Sequence, residues 1–139
     1  MSIEQNKQIA LRFANDGWGT MSNWQAVWDE LFSADIVYHF NSRPEAIVGL
    51  EANKEFNESL FIGFPDIKQT IEHMISEGDL VVYRSCLVGT HTGNFLELPP
   101  TNKSIQISDF TMLRIENNKI VELWYDCNLL AMIEQLGLA

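Results

Sequence analysis

The feature that most constrains this chain is the stretch after Pro65, where four long segments, 67–76, Leu80–Thr90, Ser104–Glu116 and Lys119–Cys127, are rich in alternating apolar residues. Glu77-Gly78-Asp79 punctuates the first pair and Asn117-Asn118 the last, while the middle connection carries Pro99-Pro100. Asn117-Asn118 suits a two-residue turn with positive φ, and Gly78-Asp79 suits another, so the spacing predicts a meander of antiparallel strands.

Upstream of Pro65 the periodicity is helical. Ile9, Ala10, Phe13 and Ala14 share a face within 3–18, with Ser2 as N-cap, Glu4 in the first turn, and Gly17 and Gly19 as the stop. Asn23 is placed to cap a second helix whose Trp24, Val27, Trp28 and Leu31 form one apolar stripe. A short strand is expected at 35–40, ending at Asn41-Ser42-Arg43-Pro44. A third helix is expected over Leu50–Gly63, with Ala52, Phe56, Leu60 and Phe61 on its apolar face. A last helix over 129–136 places Leu129, Leu130, Ile133 and Leu136 together before Gly137. Helices first and strands later describe an α+β domain over 1–139, a curved antiparallel or mixed sheet wrapped around N-terminal helices to make a cone-shaped α+β barrel.

Composition narrows the partners. Nine basic residues against nineteen acidic ones give a net charge of −10, which repels nucleic-acid phosphates and anionic membrane surfaces. No apolar run reaches the length of a signal peptide or a membrane span, so a cytoplasmic protein is expected. Cys86 and Cys127 lack the spacing of a zinc site or a disulfide framework and read as buried free thiols. His39, His73 and His91 are too scattered for a ligand set, so no metal is expected. His73, next to Glu72, reads as a solvated outer-face residue.

Several strings in combination resemble the SnoaL-like polyketide cyclases of the nuclear transport factor two-like superfamily. They are the run from Asp29 through Ile36-Val37-Tyr38-His39, Phe64-Pro65-Asp66, Gly89-Thr90-His91-Thr92-Gly93 with Phe95 and Pro99-Pro100, Arg114-Ile115, Lys119 through Trp124, and Gln135-Leu136-Gly137. The resemblance spans nearly the whole chain. It implies a central pocket between sheet and helices, no cofactor, and a homodimer through the outer face of the sheet. It also implies ring closure by intramolecular aldol condensation with a carboxylate as acid/base. The chain departs from the family pattern at Asn128, where many relatives carry aspartate.

Proton abstraction next to a carbonyl needs a carboxylate whose pKa is raised by an apolar surrounding. Asp109, Glu122 and Asp126 each interrupt an otherwise apolar strand, so these are the candidate acids. Alternation puts Ile107, Thr111 and Leu113 beside Asp109, which suits a carboxylate in the cavity or against a dimer partner. Glu122, Trp124 and Asp126 share one face of their strand, while Val121, Leu123 and Tyr125 share the other. Glu122 has a structural alternative as an ion-pair partner of Arg84 or Arg114. The resemblance places His39 at the pocket floor or mouth, where an imidazole orients a carbonyl or shuttles a proton.

Arg84, the basic residue within its strand, requires a nearby carboxylate, Glu122 or Asp109, or else a substrate oxygen. His91 reads as a rim contact or a turn-stabilising side chain. Trp18, Trp24, Trp28, Phe56, Phe61 and Phe64 are expected to supply an aromatic wall suited to flat hydrophobic ligands. Phe110 with Met112, or Val121 with Leu123 and Tyr125, would allow a sheet-to-sheet contact.

Two functions follow. One is a cofactor-independent lyase or isomerase acting on a small hydrophobic carbonyl compound, with epoxide hydrolysis and double-bond isomerisation as variants using the same carboxylates. The other is a non-catalytic small-molecule binding or dimeric interaction domain of the same fold.

Overall fold

Ser2 opens the first helix by a reciprocal cap: its hydroxyl accepts from the Gln5 backbone N–H at 3.0 Å, and its own N–H donates to the Gln5 side chain at 3.1 Å. The computed structural model describes residues 2–138. The elements run α1 (Ile3–Asp16), α2 (Trp24–Leu31), β1 (Phe32–Phe40), β2 (Ile47–Val48), α3 (Leu50–Gly63), β3 (Lys68–Glu77), β4 (Leu80–Thr90), β5 (Ser104–Glu116), β6 (Lys119–Cys127) and α4 (Leu129–Gln135). The expected helices and strands are therefore all present. Among the described residues, no helix is long and apolar enough to cross a membrane.

The differences from the sequence reading are local. Asn23 occupies the N-cap of α2, but its side chain makes no capping hydrogen bond. β1 begins directly after α2, so residues 32–34 are strand rather than connection. The two-residue β2 pairs antiparallel with β1 in the stretch between the expected turn at 41–44 and α3, and it is too short to leave a periodic signal. The buried residues of α3 are Asn53, Lys54, Asn57, Phe61 and Gly63, whereas Ala52 and Phe56 are exposed. Polar residues tolerate that burial because the Asn53 amide donates to the carbonyls of Ile47 and Gly49, and the Asn57 amide to the carbonyl of Asn53.

The sheet is mixed and open, in the order β2-β1-β6-β5-β4-β3. β3 to β6 form the antiparallel meander, with Asn117 and Asn118 both at positive φ in the last turn. β1 adds to it parallel to β6. Burial alternates cleanly along β5, with Ile105, Ile107, Asp109, Thr111, Leu113 and Ile115 facing inward. On β6 the pairing skips Val121 between Ile120 and Glu122, so Ile120, Leu123 and Tyr125 are the buried positions. This corrects the expectation that Leu123 and Tyr125 contribute to an outer face.

The inner face is packed by α1, α2 and α3. Trp28 lies at the centre, within ring contact of Phe13, Trp24, Phe32, Tyr38 and Phe61. Its indole N–H donates to the carbonyl of Gly17 at 2.9 Å, which fixes the turn leaving α1. α4 continues past β6 and covers the exposed edge of β5: the Gln135 side chain accepts from the Gln106 N–H at 2.7 Å and donates to its carbonyl at 3.0 Å. Both cysteines are free and half-buried.

Candidate functional site

Cross-strand register gathers the polar residues of the inner face into two adjacent rows. One row runs Ile71, Ser85, Asp109 and Cys127, and the next runs Met74, Tyr83, Thr111, Tyr125 and Phe40. Asp109 is 1% exposed. Its Oδ2 accepts from the Tyr125 hydroxyl at 2.6 Å and from the Gln69 amide at 3.1 Å, and its Oδ1 accepts from the Ser85 hydroxyl. A carboxylate offers about four lone-pair directions, so these donors leave about one for another group.

Electrostatics around this carboxyl follow from its burial. Desolvation pushes Asp109 above the ordinary carboxylate range, opposed by the hydrogen bonds from Ser85, Tyr125 and Gln69. The same burial raises the phenols of Tyr38, Tyr83 and Tyr125, which therefore stay protonated donors. It also pushes the Cys127 thiol up to about 11, leaving a poor nucleophile.

An aromatic file links Asp109 to the surface. Phe56, 36% exposed, packs on Phe40 at 4.7 Å between ring centroids, and Phe40 on Tyr125 at 6.3 Å. Arg43 sits over the outer ring of this file, 5.1 Å from the Phe56 centroid. Trp18 and Phe61 form the wall behind, 5.7 Å apart, with Trp18 also 5.8 Å from Tyr125. Asp109, Trp18 and Phe61 are thus buried on the inner side of the sheet, and Phe56 lies at the surface end of the file.

The other candidates lie elsewhere. Glu122, Trp124 and Asp126 do share a face, but it is the outer one, because the inward positions of β6 are taken by Leu123 and Tyr125. His39 joins them from β1: its Nε2 is 2.7 Å from Glu122 Oε2, and its ring stacks on Trp124 at 5.1 Å. Arg114 lies 3.7 Å from the other Glu122 oxygen and is held by Asp79. Arg84 is on the outer face as well and pairs with Glu72, not with Glu122 or Asp109. The bulge between Ile71 and His73 sets that register, which alternation alone does not reveal. His91 is fully buried: Nδ1 accepts from the Thr101 N–H at 3.2 Å and the ring stacks on Phe64 at 5.2 Å. It pins the 91–103 loop and is not a rim contact.

Glu122→Gln is expected to change stability by less than about 1 kcal/mol, as for other solvent-screened pairs. It should leave any chemistry at Asp109 unchanged, as read by urea unfolding beside a turnover assay.

Asn128 caps α4, its Oδ1 accepting from the Ala131 N–H at 3.1 Å. Aspartate serves this cap equally well, so the local fold does not require one over the other. Alternation already sets Thr111 beside Asp109, but sequence reasoning missed Gln69, Ser85, Tyr83 and Tyr125 as its neighbours. The signal available was a polar residue at an inward position of each strand. Two open surface grooves, about 440 and 480 Å³, lie elsewhere, one beside Thr90 and Gln135 and the other beside Asn6 and Asp79.

Comparison with known proteins agrees with this architecture. The family model for SnoaL-like polyketide cyclase matches residues 8–136. No curated protein matches the chain. Among solved structures, a protein of Jannaschia sp. CCS1 assigned as a SnoaL-like polyketide cyclase is 31% identical, with a TM-score of 0.91 over 100% of this chain and 96% of its own. A protein of Acidithiobacillus ferrooxidans assigned as a polyketide cyclase is 25% identical, with a TM-score of 0.84 over 99% of this chain and 98% of its own. IdmH of Streptomyces antibioticus shares the fold at 24% identity, with a TM-score of 0.80 over 96% of this chain and 99% of its own. With the model spanning nearly the whole sequence, the chain belongs to the SnoaL-like polyketide cyclase family.

Proposed function

We propose that this protein is a cofactor-independent acid/base enzyme of the cyclase kind, acting on a small hydrophobic carbonyl compound, with Asp109 as the acid/base. The observation that carries the reading is a nearly inaccessible carboxyl on the inner face, held by Ser85, Gln69 and Tyr125 inside an aromatic cone. Access runs past Phe56 and Phe40, which must move for a flat ligand to reach the remaining lone pair of Asp109.

In the reaction the Asp109 carboxylate takes a proton from carbon next to a carbonyl, and burial favours the neutral acid that results. The enolate carbon then bonds to a second carbonyl carbon of the same molecule. The alkoxide formed takes the proton back from Asp109, so the ring closes with no atom gained or lost and no co-reactant. Holding the two reacting carbons together is the task of the aromatic wall.

The test is deuterium exchange at the α-carbon of aromatic methyl ketones and keto-esters in D2O, followed by NMR. Saturable exchange supports the reading, and exchange at the rate of buffer alone counts against it. A second reading, a non-catalytic binding domain, draws on Asn128, whose amide caps α4 and transfers no proton.

The reading includes a homodimer through the outer sheet face. Ile75, Val82, Met112 and Trp124 form a continuous outward row across four strands, with Ile75 71% exposed and Phe110 in the next row 50% exposed. Light scattering at micromolar concentration is expected to give twice the chain mass, and a monomer removes the dimer. The two free thiols support a reducing, cytoplasmic setting.

A further inference from the structure

A second buried polar group stands just past the end of β4, six residues along the chain from the strand position that faces Asp109. His91 is fully buried, and the Thr101 N–H donates to its Nδ1 at 3.2 Å. Nδ1 is therefore the bare nitrogen, and the neutral ring carries its proton on Nε2. Among the described residues Nε2 has no hydrogen-bond partner. The rings that pack on the imidazole are Phe64, stacked at 5.2 Å, and Phe95, perpendicular at 6.4 Å. An aromatic ring is at most a weak acceptor, so the fold buries a donor that it does not use.

Phe95 differs from His91 and Phe64 in being only half-buried, and the segment that carries it is strained. Phe95 and Leu98 exchange both backbone hydrogen bonds, at 3.1 and 2.8 Å, around Leu96 and Glu97. Both central residues stand at positive φ, 47° and 67°, positions that two-residue hairpins favour for Asn-Gly. A leucine is disfavoured there, and with Leu96 67% exposed its side chain has little packing to offset the strain. The tip reaches α3 through the Leu96 N–H, which donates to Ser59 Oγ at 3.3 Å. Phe95 itself rests on Gly63, where a methyl group would lie 2.7 Å from the Phe95 Cβ.

We infer that the 95–98 hairpin is a displaceable plug, and that swinging it out opens a binding site for a single aromatic ring bearing a hydrogen-bond acceptor. The incoming ring takes the place of Phe95 against Phe64 and Gly63, and its acceptor meets the Nε2 proton of His91. Opening lets Leu96 and Glu97 return to negative φ, which offsets part of the packing lost when Phe95 leaves. A hydrocarbon ring only exchanges one apolar contact for another, so the acceptor decides the preference. The site uses no group of the Asp109 cluster and stands independently of the acid/base reading.

The test compares benzonitrile with phenylacetylene in NMR titrations of isotope-labelled protein. The two share a shape, and only the nitrile nitrogen accepts a hydrogen bond. Benzonitrile is expected to bind the wild type several-fold tighter, the yield of one neutral hydrogen bond, and to move the His91 Nε2 proton and the 95–98 amides. Apparent affinity for a site that must first open scales with its open fraction. Leu96→Asn/Glu97→Gly suits the turn and favours the closed hairpin. It should weaken benzonitrile about tenfold and raise the melting temperature. Gly63→Ala crowds Phe95 outward and should tighten benzonitrile. Asp109→Asn should leave its affinity at the wild-type value.

Equal binding of the two probes, or no saturable binding, overturns the proposal. So do hairpin and Gly63 variants that move affinity in the same direction or not at all, which marks the hairpin as structural. A loss of affinity in Asp109→Asn places the ligand in the cone and overturns it as well.

Discussion

Asp109→Asn is expected to lower α-proton exchange and ring closure by about 10²- to 10⁴-fold, the range for loss of a positioned general acid/base, while the protein stays folded. The stability arm makes this a strong test. In the folded protein burial raises the Asp109 pKa above its unfolded value. The native state therefore binds that proton more tightly than the unfolded chain, and the associated stability is present in acid and lost as pH rises through the folded pKa. An amide carries no such charge, and the Ser85 and Tyr125 hydroxyls and the Gln69 amide can all reorient to meet it.

The variant's melting temperature should thus lie above wild type by a few degrees at pH 8, on the order expected for a shift of about 1 kcal/mol. The gap should shrink below the ordinary carboxylate range. A stabilised but inactive protein is the signature of a group kept for chemistry. A variant that melts well below wild type at pH 8 would mark Asp109 as a structural acceptor.

Trp28→Ala is expected to give the largest loss of stability, about 3–5 kcal/mol for a buried aromatic whose neighbours cannot fully collapse. Trp28 is 1% exposed, touches rings from α1, α2, β1 and α3, and donates to Gly17. The orphaned Gly17 carbonyl adds to the cavity term. Against a total of about 5–15 kcal/mol, such a loss moves the urea midpoint by roughly 2 M and leaves the variant near unfolding at body temperature. Trp28→Phe should recover more than half of it. An alanine variant within about 1 kcal/mol of wild type would contradict the packing described for the cone's centre.

What was legible in the sequence was set by short-range chemistry. Asn117-Asn118 forces a turn with positive φ, and the ends of β4, β5, β6 and α3 fall where their turn and stop residues place them. Alternation sets Asp109 in line with Ile107, Thr111 and Leu113, which suits the cavity or a dimer partner, and the structure turns that row inward. β6 is harder: Leu123-Trp124-Tyr125 places a large apolar or aromatic side chain on each face, so period two alone does not say which side is the core. The skipped residue Val121 shifts the phase again.

Long-range partners were legible only in kind. That Arg84 needs a carboxylate follows from charge; that it is Glu72 follows from a bulge in β3. On α3 the reading failed because Asn53 and Asn57 are buried by hydrogen bonds to backbone carbonyls, a specific satisfaction that hydrophobic periodicity does not encode. The neighbours of Asp109 come from three strands besides its own, and only register brings them together.

The most direct test of the central claim, that the buried inner carboxyl transfers the proton, is the pH dependence of wild-type deuterium exchange at saturating aromatic ketone. The rate is expected to rise with pH through one ionisation above the ordinary carboxylate range and to level off, with Glu122→Gln giving the same curve and Asp109→Asn none. A curve unchanged in Asp109→Asn, or one abolished by Glu122→Gln, would contradict the account.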